Sequence, residues 1–249
     1  MTREQRLADA FVTLAGSTAE GPLDIPGTLS VLVNHAPSLL GARAAAVLFA
    51  PDGYEAAHVA GSDADVSRLE LEAVGWREGP GHDCHQAEKP GVQATLDSLP
   101  NRQRWPHYTP RALELGYASV AAIPLREPTG TSGALVLLSG ERHPLAPGEL
   151  AIGQSMADFT AVILKRAREA DHSRTLTAQL EQALTGRVII EQAKGVIANR
   201  RSVTPDEAFE LLRKHARSLQ RPVRDVAHEV VDGHADPGLT GPTEMTPDV

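Results

Sequence analysis

The sequence predicts an α+β protein in three parts: an N-terminal antiparallel sheet with flanking helices, a helical, coiled-coil-like connector, and a C-terminal three-helix bundle. Three observations carry this. Short apolar runs bounded by turn residues, such as AAAVLFA at 44–50 ahead of Pro51-Asp52-Gly53, read as strands. Ile152, Met156, Phe159, Ile163, Arg166 and Ala170 follow a spacing of 4, 3, 4, 3, 4, which places them on one face of a long helix. Amphipathic stripes punctuated by Pro205, Pro222 and Gly233 read as a compact helical module.

Residues 4–16 form a helix with Leu7, Phe11 and Leu14 inward, broken by Gly21-Pro22 and Pro26-Gly27. A second helix over 28–40 turns Leu29, Leu32, Val33 and Leu39 inward. The strand at 44–50 pairs with an antiparallel return at 54–61, and a short helix covers 66–74. The Gly- and Pro-rich passage EGPGHDCHQAEKPG reads as a loop leading to a strand at 92–95. A loop at 101–106 and a helical turn at 110–115 follow. Strands at 118–125 and 133–138 pair across a hairpin loop at 126–132 that contains Pro128 and Gly130. Pro147-Gly148-Glu149 opens the long helix, and Leu176, Leu180 and Leu184 lie further along it. A polar segment at 165–175 offers nothing to pack on, so the seam from Ile152 to Ile163 implies a parallel homodimer. The other reading is a single helix packed on its own domain.

The chain has 249 residues, 41% of them hydrophobic and 4% aromatic, enough for ordinary cores in one or two domains. A net charge of −8 keeps most of it off nucleic acid and membranes. The lone Cys84 forms no internal disulfide, which suits a reducing cytosol. The polar N-terminus is unlike a signal peptide, and no apolar run reaches spanning length. A soluble, cytoplasmic protein is expected.

Residues 184–233 depart from this acidity. Thr204, Pro205 and Glu207 form a capping box that starts a helix at 204. Val188, Ile189, Val196 and Ile197 line the helix before it. Ala208, Phe209, Leu212, Ala216 and Leu219 line the second helix, and Val223, Val226, Ala227, Val230 and Val231 the third. Nine basic residues stand against seven acidic ones here, a balance of +2, so the rest of the chain carries −10. Arg187, Lys194 and Arg201 lie seven apart on one face, and Arg213, Lys214, Arg217 and Arg221 crowd the end of the second helix. Either this is a solvated face with cations at a helix C-terminus, or it is a patch for a polyanion.

The run IEQAKGVIANR…VTPDEAFELLRKHAR…RPVRDVAHEVV closely resembles an ANTAR domain, an RNA-binding three-helix module of transcription antitermination. The resemblance covers about fifty residues and includes Glu191 to Gly195. It implies binding of paired RNA hairpin loops, usually by a dimer, and the grouped cations Arg187, Lys194, Arg201, Arg213, Lys214, Arg217 and Arg221 are the candidate contacts. Lys194 matches the family's Ala-Lys-Gly run. His215 stands where many members carry an aromatic, and it is the candidate stacking group. The third helix has a single Arg, Arg224. Upstream, EGPGHDC, RWPHY, GYASVAAIPL, GALVLLSG and LAPGELAIGQSMADFTAVIL resemble the GAF domains that precede ANTAR domains in actinobacterial regulators. GAF domains sense small molecules or dimerise, and the fold names no ligand. The expected organisation is a GAF-like domain at 5–165, a connector at 149–184 overlapping both neighbours, an ANTAR domain at 174–233 and a disordered tail at 234–249.

No catalytic site is expected: the chain lacks a nucleophile elbow, a Walker loop and HExxH. His82, Cys84 and His85 have no second cluster to complete a zinc site, so no metal or cofactor is expected. Trp105 and Tyr108 either line a ligand pocket or close a loop over the core, the second being favoured. Two other functions compete with RNA binding. A DNA-binding sensor regulator needs a polar recognition helix, and VRDVAHEVV at 223–231 is mostly core-forming. A protein-interaction module without nucleic acid is compatible with a balance of only +2.

Overall fold

The structure is a computed structural model that describes residues 2–17, 24–87, 92–128 and 130–241. The Gly21-Pro22 break, the side chains of Leu180 and Leu184, and residues 242–249 lie outside the described part. The chain divides into two compact units, 1–171 and 172–249.

The N-terminal unit is α+β. In order it holds α1 (Arg3–Gly16), α2 (Ile25–Leu40), β1 (Ala44–Phe49), a 3-10 turn (Tyr54–Ala56), β2 (His58–Gly61), α3 (Ala64–Trp76) and α4 (Pro80–Ala87). Then come β3 (Val92–Thr95), α5 (Leu99–Arg104), α6 (Tyr108–Glu114), β4 (Ser119–Glu127), β5 (Gly130–Ser139) and the first part of α7 (Pro147–Arg201). The five strands form one antiparallel sheet in the order β2-β1-β5-β4-β3. Side chains alternate between faces. Ala45, Val47, Phe49, Ile123 and Leu135 pack with α1, α2 and α7. Ala44, Ala46, Val120, Ala122 and Val136 pack with α3, α4 and α6. With both faces covered, β1 is buried throughout and reads as a continuous apolar run.

Several local expectations are corrected. α2 starts at Ile25, because Asp24 accepts from the Gly27 amide (2.9 Å) and Pro26 sits in the first turn. A proline there gives up no intrahelical bond, so Pro26-Gly27 opens the helix rather than breaking it. The passage read as a loop contains α4, again with proline in the first turn. Gly79, with φ of 108°, turns the chain into it, and a Cβ there would press on the Tyr108 ring at 3.0 Å. Most of 101–106, read as a loop, belongs to α5. The hairpin between β4 and β5 is tighter than 126–132, because both strands extend toward it across an irregularity at Leu125/Arg126.

The proposed seam is also corrected. Met156, Ala157, Ala161 and Leu164 are fully buried in the core of this unit, and Ile152, Phe159 and Ile163 pack against it. The rings of Phe159 and Phe11 meet edge to face with centroids 5.0 Å apart. A stripe at this period serves a helix lying on a sheet as well as it serves a coiled coil. Here the sheet face supplied by Ile123, Leu125, Leu135 and Leu137 takes it.

The C-terminal unit is helical. α7 runs unbroken to Arg201, so the expected connector and the module's first helix are one element. Ser202 in the left-handed region (φ 53°) ends it. α8 (Pro205–Ser218) begins with the capping box: the Thr204 hydroxyl accepts from the Glu207 amide at 3.3 Å, and the Glu207 carboxylate accepts from the Thr204 amide at 2.8 Å. α9 (Val223–Val231) follows. Ala193, Ile197, Ala208, Leu212, Ala216, Val226, Ala227 and Val230 form the core. Within the tail expected to be disordered, Pro237–Thr240 forms a short helix, α10, because Leu239 finds an apolar seat on the bundle and is 3% exposed. Among the described residues, no helix is long and apolar enough to cross a membrane.

Candidate nucleic-acid interface

The end of α7 and the outer face of α8 border an open groove. Arg201, Arg213, Lys214 and Arg217 line it, together with Val203 and Leu211 and two acids, Glu207 and Glu210. Burial of Ala193 and Ile197 against Ala208 and Leu212 sets the two helices side by side. The amphipathic period of α8 then turns its cations outward.

These cations differ in what they already hold. Lys194 is largely covered: its Nζ donates to Glu191 at 2.9 and 3.0 Å and lies 5.5 Å from the centre of the Phe209 ring. Its side chain is only 15% exposed, so it joins α7 to α8 more than it faces solvent. Arg213 is exposed but donates to Glu210 (3.2 Å), and its guanidinium lies 5.7 Å from the centre of the same Phe209 ring. Arg201 donates from Nε to the Leu239 carbonyl (3.1 Å) and from Nη2 to that of Gly238. Arg221 donates to Glu229 at 2.7 Å. That bond holds the Glu229 carboxyl below its usual range and raises Arg221.

Arg187, Lys214 and Arg217 are exposed and have no ion pair among the described residues. Arg187 borders a second shallow groove with Thr185, Val188 and Gln192. Arg200 is likewise exposed and unpaired, and the sequence pattern did not single it out. His215 is half-buried, and its carbonyl accepts from the Ser218 hydroxyl at 2.8 Å. Phe209 is the aromatic that sequence reasoning assigned only to the core stripe. It has a cation from each helix against its ring. The available signal was Arg213 four residues further along the same helix face.

In the N-terminal unit the candidate ligand residues are committed to the core. Trp105 and Tyr108 are buried. Trp105 donates from Nε1 to Asp83 (2.9 Å), which Arg104 also pairs at 2.6 Å. The Tyr108 hydroxyl donates to the buried Glu70 at 2.7 Å. Burial raises the Glu70 carboxyl to about 7, against the smaller lowering by Tyr108. α4 presses close above it: a Cβ on Gly81 would lie 3.0 Å from Val136 and 3.5 Å from Glu70. Cys84 is buried on α4, and burial pushes its thiol up to about 12, so it carries no reactive thiolate at neutral pH. His82 and His85 flank the Tyr54 ring at 5.0 and 5.3 Å, and burial lowers both imidazoles. Among the described residues, no three His, Cys, Asp or Glu side chains come together to hold a metal ion.

The family model for the ANTAR domain matches residues 178–231, ending at the last residue of α9. Comparison with curated proteins finds no match. Among solved structures, the bacteriophytochrome RpBphP3 from the photosynthetic bacterium R. palustris is similar over 85% of this chain and 47% of its own, at 12% identity and a TM-score of 0.52. That likeness concerns fold alone. The GAF domain of a phosphoenolpyruvate-protein phosphotransferase from Coxiella burnetii is 20% identical, over 67% of this chain and 96% of its own, at a TM-score of 0.49. The GAF domain of a sensor histidine kinase from Pseudomonas syringae pv. tomato is 16% identical, over 71% and 92%, at 0.47. The chain thus carries an ANTAR domain at residues 178–231, preceded by an α+β unit.

Proposed function

We propose that the protein is an RNA-binding regulator that grips tandem hairpin loops in nascent transcripts and so controls termination or access to a ribosome site. The observation that carries this reading is the coincidence of the ANTAR match with a bundle that exposes Arg187, Lys214 and Arg217 without ion pairs among the described residues. Their contacts with phosphates release counterions and supply affinity. Phe209, which has Lys194 and Arg213 against its ring, and the half-buried His215 are the groups of this bundle that suit an unstacked loop base. Holding a hairpin folded shifts a transcript between alternative structures, a step that needs no covalent chemistry and no cofactor.

In this reading two chains act together, because two linked loops are bound far more tightly by two linked modules. Exposed apolar side chains on α7 suit such pairing: Val162 in the N-terminal unit, and Leu176 and Val188 in the C-terminal unit. The N-terminal unit senses a small molecule or provides dimer contacts, and a ligand acts by favouring one arrangement over another. The DNA-binding alternative is weakened by α9, whose Val226, Ala227 and Val230 are buried in the bundle. The test is a titration of the full chain with a two-hairpin RNA, a single hairpin and duplex DNA of equal length. The expected order of affinity is two hairpins, then one, then duplex DNA. Equal affinity for RNA and DNA would reject the RNA assignment, and equal affinity for one and two hairpins would reject paired reading.

A further inference from the structure

Arg201, the last residue of α7, is at the edge of the cation-lined groove, yet its guanidinium points to the tail. Its Nε donates to the Leu239 carbonyl at 3.1 Å and its Nη2 to the Gly238 carbonyl. The tail is built to present these two carbonyls. Asp236 caps α10 by accepting from the Gly238 amide at 2.7 Å, and Pro237 fills the first helical position. Leu239, 3% exposed, then anchors the segment in the apolar cluster shared by α7, α8 and α9.

We propose that this segment, 234–241, is a built-in brake on polyanion binding, resting on the RNA reading above. Docked, it occupies the donors of Arg201 that face its carbonyls, so the groove presents Arg213, Lys214 and Arg217 but not a fully available Arg201. Undocked, it returns those donors to the groove. The docking is poised to be reversible. The buried Leu239, the partly buried Ala235, two hydrogen bonds from Arg201 and one from the His234 amide to the Glu229 carbonyl (2.8 Å) oppose the conformational entropy of ordering a short stretch of chain. An arginine is suited to both states, because its fork of donors satisfies two backbone carbonyls as readily as two phosphate oxygens.

The experiment compares four full-length or shortened chains: the parent, Leu239→Ser, a chain ending at Gly233, and that shortened chain with Arg201→Ala. Each is titrated with two-hairpin RNA at several salt concentrations, and helicity reports whether the bundle is intact. The brake predicts that Leu239→Ser and the shortened chain bind about 3- to 10-fold more tightly, with a salt slope steeper by about one phosphate contact. Adding Arg201→Ala to the shortened chain should remove the gain. Unchanged affinity and slope in folded Leu239→Ser and shortened chains would overturn the brake, as would a gain that survives Arg201→Ala. If no chain binds RNA, the RNA reading fails by itself, and elution from immobilised heparin still decides the brake. Later elution on undocking, lost with Arg201→Ala, supports it; identical elution of all four chains rejects it. If Leu239→Ser lowers helicity, the shortened chain carries the same test.

Discussion

Glu70 and Glu229 each accept a hydrogen bond from one side-chain partner, at 2.7 Å in both cases, and they respond in opposite directions. In the N-terminal unit, Glu70 is buried and its partner is a neutral phenol, so desolvation wins and the carboxyl is raised to about 7. In the C-terminal unit, Glu229 is on a partly exposed helix face and its partner is a guanidinium, so the carboxylate is favoured. The same contrast holds for the two units at large. One closes its polar groups into a two-faced core, as Trp105 with Asp83 and Tyr108 with Glu70. The other builds a small core from alanine, valine, leucine and isoleucine and leaves charge outside. A polar residue in the first unit is therefore mainly a matter of stability, and in the second mainly a matter of what is left free to bind.

The largest expected effect sharpens this contrast along α7. Met156→Ala removes a fully buried side chain and should destabilise the N-terminal unit by about 2–5 kcal/mol in chemical denaturation. Leu176→Ala, at an exposed position, should change stability by no more than about 0.5 kcal/mol. Similar losses in both would place Leu176 in a core that the structure does not give it. Leu176→Glu should also shift light scattering toward monomer if α7 pairs two chains there; an unchanged oligomeric state would move the pairing elsewhere.

Next in size is the pH dependence set by Glu70. Its folded pKa lies above its unfolded one, so the folded state keeps a proton that the unfolded state releases. Stability is full below about pH 4.5, falls as pH rises toward about 7, and then levels off. The shift corresponds to roughly 3 kcal/mol. Glu70→Gln keeps an acceptor for the Tyr108 hydroxyl and should remove this slope, which urea titrations across that pH window would read directly. A slope that persists in the variant assigns the effect to another group.

The smallest effect concerns Lys194. With its ammonium against Phe209 and Glu191, Lys194→Ala should cost the bundle about 1 kcal/mol. Its RNA affinity should fall less than that of Lys214→Ala, measured with both variants folded. The reverse order would make Lys194 the stronger contact of the two.

Much of this architecture was legible because its signals are local. Thr204, Pro205 and Glu207 announce a capped helix start within four residues, and the runs at 44–50 and 133–138 are too apolar to be anything but interior. The misreadings have a common physical origin. Pro26 reads as a breaker and Pro80 as part of a loop, although a proline in a first turn has no hydrogen bond to lose. The stripe from Ile152 to Ile163 specifies an apolar face but not its partner, which is a sheet folded from residues far away in sequence. Leu239 looked like one apolar residue in a tail of Pro, Gly and Thr until the bundle supplied its seat. For the candidate interface, the sequence located the cations but not their acceptors. Glu191 for Lys194 is three residues away, whereas the Gly238 and Leu239 carbonyls for Arg201 are more than thirty.

The central claim is that the unpaired cations of the C-terminal unit hold RNA phosphates. Its most direct test is the salt dependence of two-hairpin RNA binding by the full chain and by its Lys214→Ala, Arg217→Ala double variant. The account predicts at least about tenfold weaker binding in the variant, and a log–log salt slope shallower by roughly 1.5, with helicity unchanged. A folded double variant with the parent's affinity and slope would contradict it and return the basic face to the role of solvated surface.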